Sequence, residues 1–221
     1  NCKMKIYLLL FLSLISMSIV SARKEANIWY FGRNAGIDFN SGTPVALMNG
    51  SLSTSEGAAT MCDKNGALLF YTDGQRVWDR NHAQMPNGSG LIGHSSATSS
   101  AVIVPNPGNR NRYYVFTVSS HEQHAAAIPF CWSEVDMTLN GGLGDVITAT
   151  KNTELFSGST EKVAAVRHAN GLYFWVIGQE QVNGIYRSYL IDCNGVGAPV
   201  ISNAGHNASA AGPGYLKVSP D

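Results

Sequence analysis

The sequence predicts an all-β fold built from repeated hairpins, on three observations. Charged residues make up only 14% of the 221 residues while glycine numbers 23, a balance that suits many short strands and tight turns and not a helical bundle. Apolar, aromatic and β-branched runs of four to seven residues alternate along the chain with Asn-Gly and Asp-Gly pairs. Those pairs tolerate the positive φ values that tight hairpins require. The third observation is repetition. Residues 56–79 read as a small apolar strand, an Asn65-Gly66 turn, a dense strand Ala67-Leu68-Leu69-Phe70-Tyr71-Thr72, an Asp73-Gly74 turn and a third strand opening at Val77-Trp78. The same grammar returns twice downstream.

Taken in order, residues 27–32 form an aromatic strand, followed by strands at 36–39 and 44–48 across the turn Asn40-Ser41-Gly42. The meander at 56–79 comes next. Residues 82–100, rich in Gly, Ser and Asn, read as a long loop. Strands resume at 101–104 and 113–118, separated by a turn that Pro105-Asn106-Pro107-Gly108-Asn109 forces. Residues 130–137 alternate as a half-buried strand, and 144–150 supply the outer strand of that unit. The third unit has strands at 162–167, 172–177, 185–192 and 199–201, with turns at Asn170-Gly171, Asn183-Gly184 and Asn194-Gly195. A fourth unit opens at Gly214-Tyr215-Leu216-Lys217-Val218.

The dense central strands begin near residues 67, 113 and 172, so the repeat is 46 and then 59 residues long. That period suits one four-stranded propeller blade per unit, and inner strands apolar on both faces suit blades packed between neighbours. A β-sandwich is the competing arrangement. The expectation is a partial β-propeller of four-stranded antiparallel blades, about three blades and part of a fourth. On that reading residues 23–221 are the N-terminal part of the domain, cut at its C-terminal side. They would form an open arc, with residues 28–31 completing a last blade.

The first 22 residues read as a signal peptide. Lys3 and Lys5 precede an apolar run at 6–20, which ends in Val20-Ser21-Ala22 with small residues where a signal peptidase reads them. The run is short for a membrane span of about 20 residues; a signal anchor is the alternative. Cleavage between Ala22 and Arg23 leaves no further span. It also leaves thirteen basic and fifteen acidic residues and no basic tract, which argues against nucleic acid as a partner. Cys62, Cys131 and Cys193 survive cleavage, each in or beside an apolar run, and read as three buried thiols with one disulfide as the alternative.

Several motifs together resemble one family: Trp29-Tyr30-Phe31-Gly32, Asn34-Ala35-Gly36-Ile37-Asp38-Phe39, Glu56-Gly57, Leu69-Phe70-Tyr71-Thr72-Asp73-Gly74 and Asn81-His82 with Met85. Thr160-Glu161-Lys162, Ala165-Val166 with His168, Trp175-Val176 and the closing Gly214-Tyr215-Leu216-Lys217-Val218-Ser219-Pro220-Asp221 belong to the same set. They resemble the N-terminal propeller of large Bacteroidota surface proteins, which often carry PKD-like domains and end in a gliding-motility-associated, type IX secretion sorting domain. The resemblance implies a secreted or surface-attached multidomain protein with a role in adhesion. It departs at Gly178-Gln179-Glu180, where members carry a His-Glu pair, and no sorting domain lies within these residues.

Chemistry-bearing patterns are weak. His121-Glu122-Gln123-His124 has its histidines three apart, not four as a zinc-protease helix needs. Asp63-Lys64-Asn65-Gly66 opens like a calcium loop but lacks the later ligands and the closing Glu. Asp38, Glu56, Asp73, Asp79 and Glu161 are the acids from which a glycosidase pair would be drawn, and Trp29, Tyr30, Trp78, Trp132 and Trp175 the aromatics that could stack on sugars. No nucleophile elbow or phosphate loop appears. The expectation is a non-enzymatic module with no catalytic residue, cofactor or metal. It would bind a surface glycan or a protein, or space further blades and downstream domains of the same chain. The alternative is a secreted polysaccharide hydrolase or lyase. N-terminal sequencing of the exported protein is expected to read Arg-Lys-Glu-Ala; a mature chain that keeps residues 6–20 would overturn the signal-peptide reading.

Overall fold

A computed structural model describes residues 23–204 and 213–219, so the signal peptide and its Ala22 lie outside the described residues. The chain is all-β, with four antiparallel sheets, none of them closed. Sheet one contains β1 (Ile28–Phe31), β2 (Ala35–Asp38) and β3 (Val45–Leu47). Sheet two is the meander β4 (Ala59–Cys62), β5 (Leu68–Thr72), β6 (Arg76–Asp79) and β7 (Gln84–Ser89). Sheet three orders β8 (Ala101–Pro105), β9 (Arg112–Val118) and β10 (Phe130–Asp136). Its outer edge is shared by β11 (Asp145–Val146) and β12 (Thr153–Phe156), both of which pair with β10. Sheet four is β13 (Ser159–Arg167), β14 (Phe174–Glu180), β15 (Tyr186–Asp192) and β16 (Gly195–Ser202).

One device makes most of the turns. An Asp or Asn side-chain oxygen accepts the backbone N–H two residues on, which closes an Asx turn. Asp38 does this to Asn40 at 2.7 Å, Asp63 to Asn65 at 2.8 Å, Asp73 to Gln75 at 2.9 Å and Asp79 to Asn81 at 2.8 Å. Asn106, Asp136, Asn170 and Asp192 repeat it in sheets three and four. The glycines that follow carry positive φ, +89° at Gly66 and +86° at Gly74, which a residue with a Cβ adopts only at a cost.

The dense strands β5 and β9 are buried on both faces because each face meets a different sheet. The third, β14, carries Trp175 and Ile177 half-buried on a face that no sheet covers among the described residues, and Leu172 before it is exposed. On β5, Tyr71 joins Ile28, Tyr30, Cys62 and Trp78 in the core between sheets one and two, while Phe70 joins Val77, Met85, Val115 and Val135 between sheets two and three. On β9 the split is Val115 toward sheet two and Phe116 toward sheet four, with Phe130, Val176, Tyr189 and Ile191. Tyr30 stacks on Tyr71 at 4.7 Å, and Phe130 on Phe156 at 5.2 Å. Full burial of such a side chain stabilises the fold by about 1.5–3 kcal/mol. The outer faces of sheets one and four have no sheet against them among the described residues, and Trp29, Phe31 and Val200 are exposed there.

The leading strands of sheets two to four lie side by side. Gly57 N–H donates to Ala97 O, and Thr60 and Met61 share a cleft with Ile103 and Pro105, so β4 and β8 run in one direction. Ser99 N–H donates to Glu161 O, and Arg167 shares that cleft with Pro105, so β13 runs the same way. Residues 214–218 continue the row, with Gly214 beside Lys162 and Val218 beside Val166. Sheet one differs. Cys62 N–H donates to Glu25 O and Tyr30 N–H to Thr60 Oγ1, so β1 runs opposite to β4.

Several expectations need correction. Residues 28–47 form a sheet of their own, so four sheets stand where three units and a piece are read from the sequence, and they have three, four, five and four strands. Residues 84–89, expected as loop, are strand β7. Met85 fills the core at 0% exposure, and Asp145 accepts Asn87 N–H at 2.8 Å and its amide Nδ2 at 2.6 Å. The strand expected at 144–150 is only Asp145–Val146, because Thr150 N–H folds back onto Ile147 O and β12 takes over the pairing. Residues 121–124 form one helical turn, capped by Ser120. Cys193 is exposed, not buried, and Cys62, Cys131 and Cys193 are all free thiols.

Gly74 is a sharp test of the turn chemistry. An added Cβ would sit 2.0 Å from Ser100 Oγ and 3.0 Å from Ser100 O at a φ of +86°. Gly74→Ala is expected to destabilise the fold by at least about 2 kcal/mol in chemical denaturation. An unchanged unfolding midpoint would refute this account of the sheet-two turn.

Candidate functional site

Where the leading strands converge they enclose a cleft of about 490 Å³, bordered by Trp29, Tyr30 and Phe31 of β1, residues 58–60, residues 101–103 and Ala165. The leading strands give it small side chains, mostly Ala and Val with Thr60, and β1 gives it an aromatic wall. A second cleft of about 330 Å³ lies at the far ends of these strands, with Arg23, Glu25, Thr60, Ile103, Arg167 and Phe174 around it. The Arg167 guanidinium lies 4.8 Å over the Phe174 ring and donates from Nη1 to Gly171 O at 2.8 Å. Burial holds Arg167 below its ordinary range, and the charge of Arg23 pushes the same way. Arg23, the residue that signal cleavage would make the N-terminus, thus faces this mouth. Glu25 also faces it and keeps one buried oxygen, Oε2, without a hydrogen-bond partner.

The candidate acids are not brought together by the hydrogen bonds they make. Asp38, Asp73 and Asp79 each commit Oδ1 to their own turns, and Glu56 is exposed. Glu161, 2% exposed, is a tie between elements: Oε1 accepts His121 N–H at 2.7 Å, and Oε2 accepts Thr98 N–H at 3.1 Å and its hydroxyl at 3.3 Å. Asp63 is likewise engaged, by Asn65 and Ala67 N–H. His121 and His124 point to different partners, Nδ1 of His124 to Ser119 Oγ at 2.8 Å and Nδ1 of His121 to Ala125 O at 3.1 Å. Among the described residues no three His, Cys, Asp or Glu side chains gather as a metal would need. Trp78 and Tyr30 are core residues, Trp132 and Trp175 are half-buried, and Trp29, at 50% exposure, borders the cleft. Burial pushes the Cys62 thiol up to about 11 and the Cys131 thiol up to about 12, which keeps both protonated and inert.

Sequence reading missed a polar network between sheets one and two. Tyr30 Oη donates to Asn49 Oδ1 at 3.0 Å, which turns the amide Nδ2 toward His82 Nε2 at 2.9 Å. Nε2 is then the bare nitrogen, and the proton sits on Nδ1, which donates to Tyr71 Oη at 3.1 Å. Tyr71 Oη also accepts Ser51 N–H at 2.9 Å, and the Ser51 hydroxyl returns to His82 O. The two tyrosines and His82 all lie in motifs the family resemblance uses, yet their spacing of 41 and 11 residues gives no local sign of contact.

Comparison with protein-family models, with curated proteins and with solved structures finds no match to this chain.

Burial lowers the pKa of His82, and the charge of Asp79 offsets this in part. The folded state therefore prefers neutral His82, while the unfolded chain takes up a proton near pH 6.5. The contribution of His82 is fully present above about pH 6.5 and declines as pH falls toward the lowered folded value. His82→Asn tolerates the observed φ of +64° and cannot titrate. Melting wild type and variant between about pH 7.5 and 5 is expected to show their stability gap narrowing with acid. A constant gap would sink this assignment.

Proposed function

We propose that this chain is part of a β-propeller and serves as a non-enzymatic binding or scaffolding module of a secreted or surface-attached protein, engaging a surface glycan or a protein. The observation that carries the reading is the row of like-directed leading strands β4, β8, β13 and 214–218, each of the first three opening its own antiparallel sheet. Blades stacked about an axis have this arrangement. Residues 214–218 are positioned as the first strand of a further blade. Sheet one, with its reversed β1, suits the outer three strands of a blade whose innermost strand comes from elsewhere. The resemblance to Bacteroidota surface propellers supports the extracellular address.

The non-enzymatic half rests on the acids. Hydrolysis or elimination of a polysaccharide needs carboxyl groups free to move protons at one place. Asp73, Asp79 and Glu161 instead hold turns and loops through backbone N–H donors. Purified protein incubated with a panel of neutral and acidic polysaccharides is expected to be retained on one or more without releasing reducing ends or unsaturated products. Turnover abolished by a single acid-to-amide change, such as Glu161→Gln, would overturn the reading in favour of a hydrolase or lyase, provided the variant still melts cooperatively.

A further inference from the structure

The cleft of about 330 Å³ at the far ends of the leading strands holds positive charge that nothing answers among the described residues. Arg167 is pinned there. Its guanidinium lies 4.8 Å over the Phe174 ring and Nη1 donates to Gly171 O at 2.8 Å, while its remaining N–H groups meet no acceptor among the described residues. Arg23 borders the same cleft, is exposed and forms no ion pair; the ion pairs among the described residues belong to Arg112 and Arg187. Burial, and then the charge of Arg23, hold Arg167 below its ordinary range against the pull of Glu25. Two like charges beside one cleft are relieved by an anion seated between them. A guanidinium steadied by an aromatic face and one backbone carbonyl keeps its other N–H groups as a fork for a carboxylate.

The other groups at the cleft narrow the anion. Glu25 lines it without pairing to either arginine, and its buried Oε2 has no hydrogen-bond donor. Thr60 Oγ1 accepts Tyr30 N–H, which leaves the hydroxyl proton free to be donated. Phe174 and Pro105 add an apolar wall. A matching guest carries a carboxylate for the arginines, hydroxyls for Glu25 and Thr60, and a C–H face for the wall. A uronic acid unit has all three on one ring. An acidic peptide side chain brings the carboxylate without the hydroxyls, and phosphate brings no C–H face. We propose that this cleft binds a uronic acid unit of an acidic polysaccharide, with its carboxylate between Arg23 and Arg167. This names the glycan of the proposed binding module and rests on that reading. Binding of a neutral polysaccharide in place of a uronide would defeat the inference and leave the reading standing.

The probe is a tetrasaccharide of galacturonic acid, titrated calorimetrically into the full chain. Saturable binding is expected, weakening as salt rises. The fully methyl-esterified tetrasaccharide keeps the rings and hydroxyls but loses the charge, and is expected to bind at least about tenfold more weakly. Arg167→Gln and Arg23→Gln are each expected to cost at least about tenfold, with unchanged melting curves because both side chains are exposed. Arg167→Lys keeps the charge without the fork and is expected to recover only part of the affinity. No saturable binding, equal affinity for the ester, or indifference to Arg167→Gln overturns the proposal. Equally tight, Arg167-dependent binding of tetraglutamate or of inorganic phosphate also overturns it, since the cleft would then take any anion. Turnover of the tetrasaccharide would count for the site and against the non-enzymatic reading. The ester arm does not depend on any variant folding.

Discussion

The short hydrogen bond from an Asp or Asn oxygen to the amide two residues ahead sets the frame of this molecule. It reverses the chain at Asp38, Asp63, Asp73 and Asp79, and again at Asn106, Asp136, Asn170 and Asp192, with bonds of 2.7–2.9 Å. A turn closed by a side chain is local, so it forms without waiting for distant pairing. It also decides what the acids do. A carboxylate that already accepts two backbone donors, as Asp73 does from Gln75 and Arg76, is held for structure. The scarcity of candidate chemistry and the abundance of hairpins thus have one cause.

The second constraint is the sharing of strands between cores. β5 and β9 each give alternate side chains to two different interfaces, which welds sheets one to four into a series through three hydrophobic clusters. Interior sheets are covered on both sides. Among the described residues no sheet covers the outer faces of sheets one and four, and the aromatic and aliphatic side chains exposed there have the character of the buried interfaces. Between sheets two and three the apolar contact is reinforced at the rim, where Lys151 Nζ reaches Asn87 O and Ser89 O and Asn152 Nδ2 reaches Gly90 O at 2.8 Å.

Much of this was legible in residue order. Leu68-Leu69-Phe70-Tyr71-Thr72 reads as a strand buried twice over, and Phe70 and Tyr71 are at 0% exposure on opposite faces. The Asn and Asp turns were readable because their chemistry is local. What escaped reading depends on partners far away in sequence. Gln84–Ser89 has one large apolar residue, so nothing local marks it as a strand; Asp145 and Lys151, some sixty residues on, hold it in place. The reversed direction of β1 and the His82 network are products of packing and have no periodicity to betray them. Cys193 lies beside an apolar run, yet it falls in the β15–β16 turn, where its side chain is exposed.

The division of β5 between two interfaces bears on how such a chain can change over evolutionary time. Inserting or deleting one residue within Leu68–Thr72 would exchange the faces of Phe70 and Tyr71 and so disrupt two cores at once, because side-chain orientation in a strand has a period of two. Single-residue length changes within the shared strands are penalised twice. The solvent-facing turns between them carry no such penalty, provided a short polar side chain remains to close them. A change of length, and with it any new recognition surface, is therefore better tolerated at the hairpin ends than within the strands, which act as a fixed ruler for both cores.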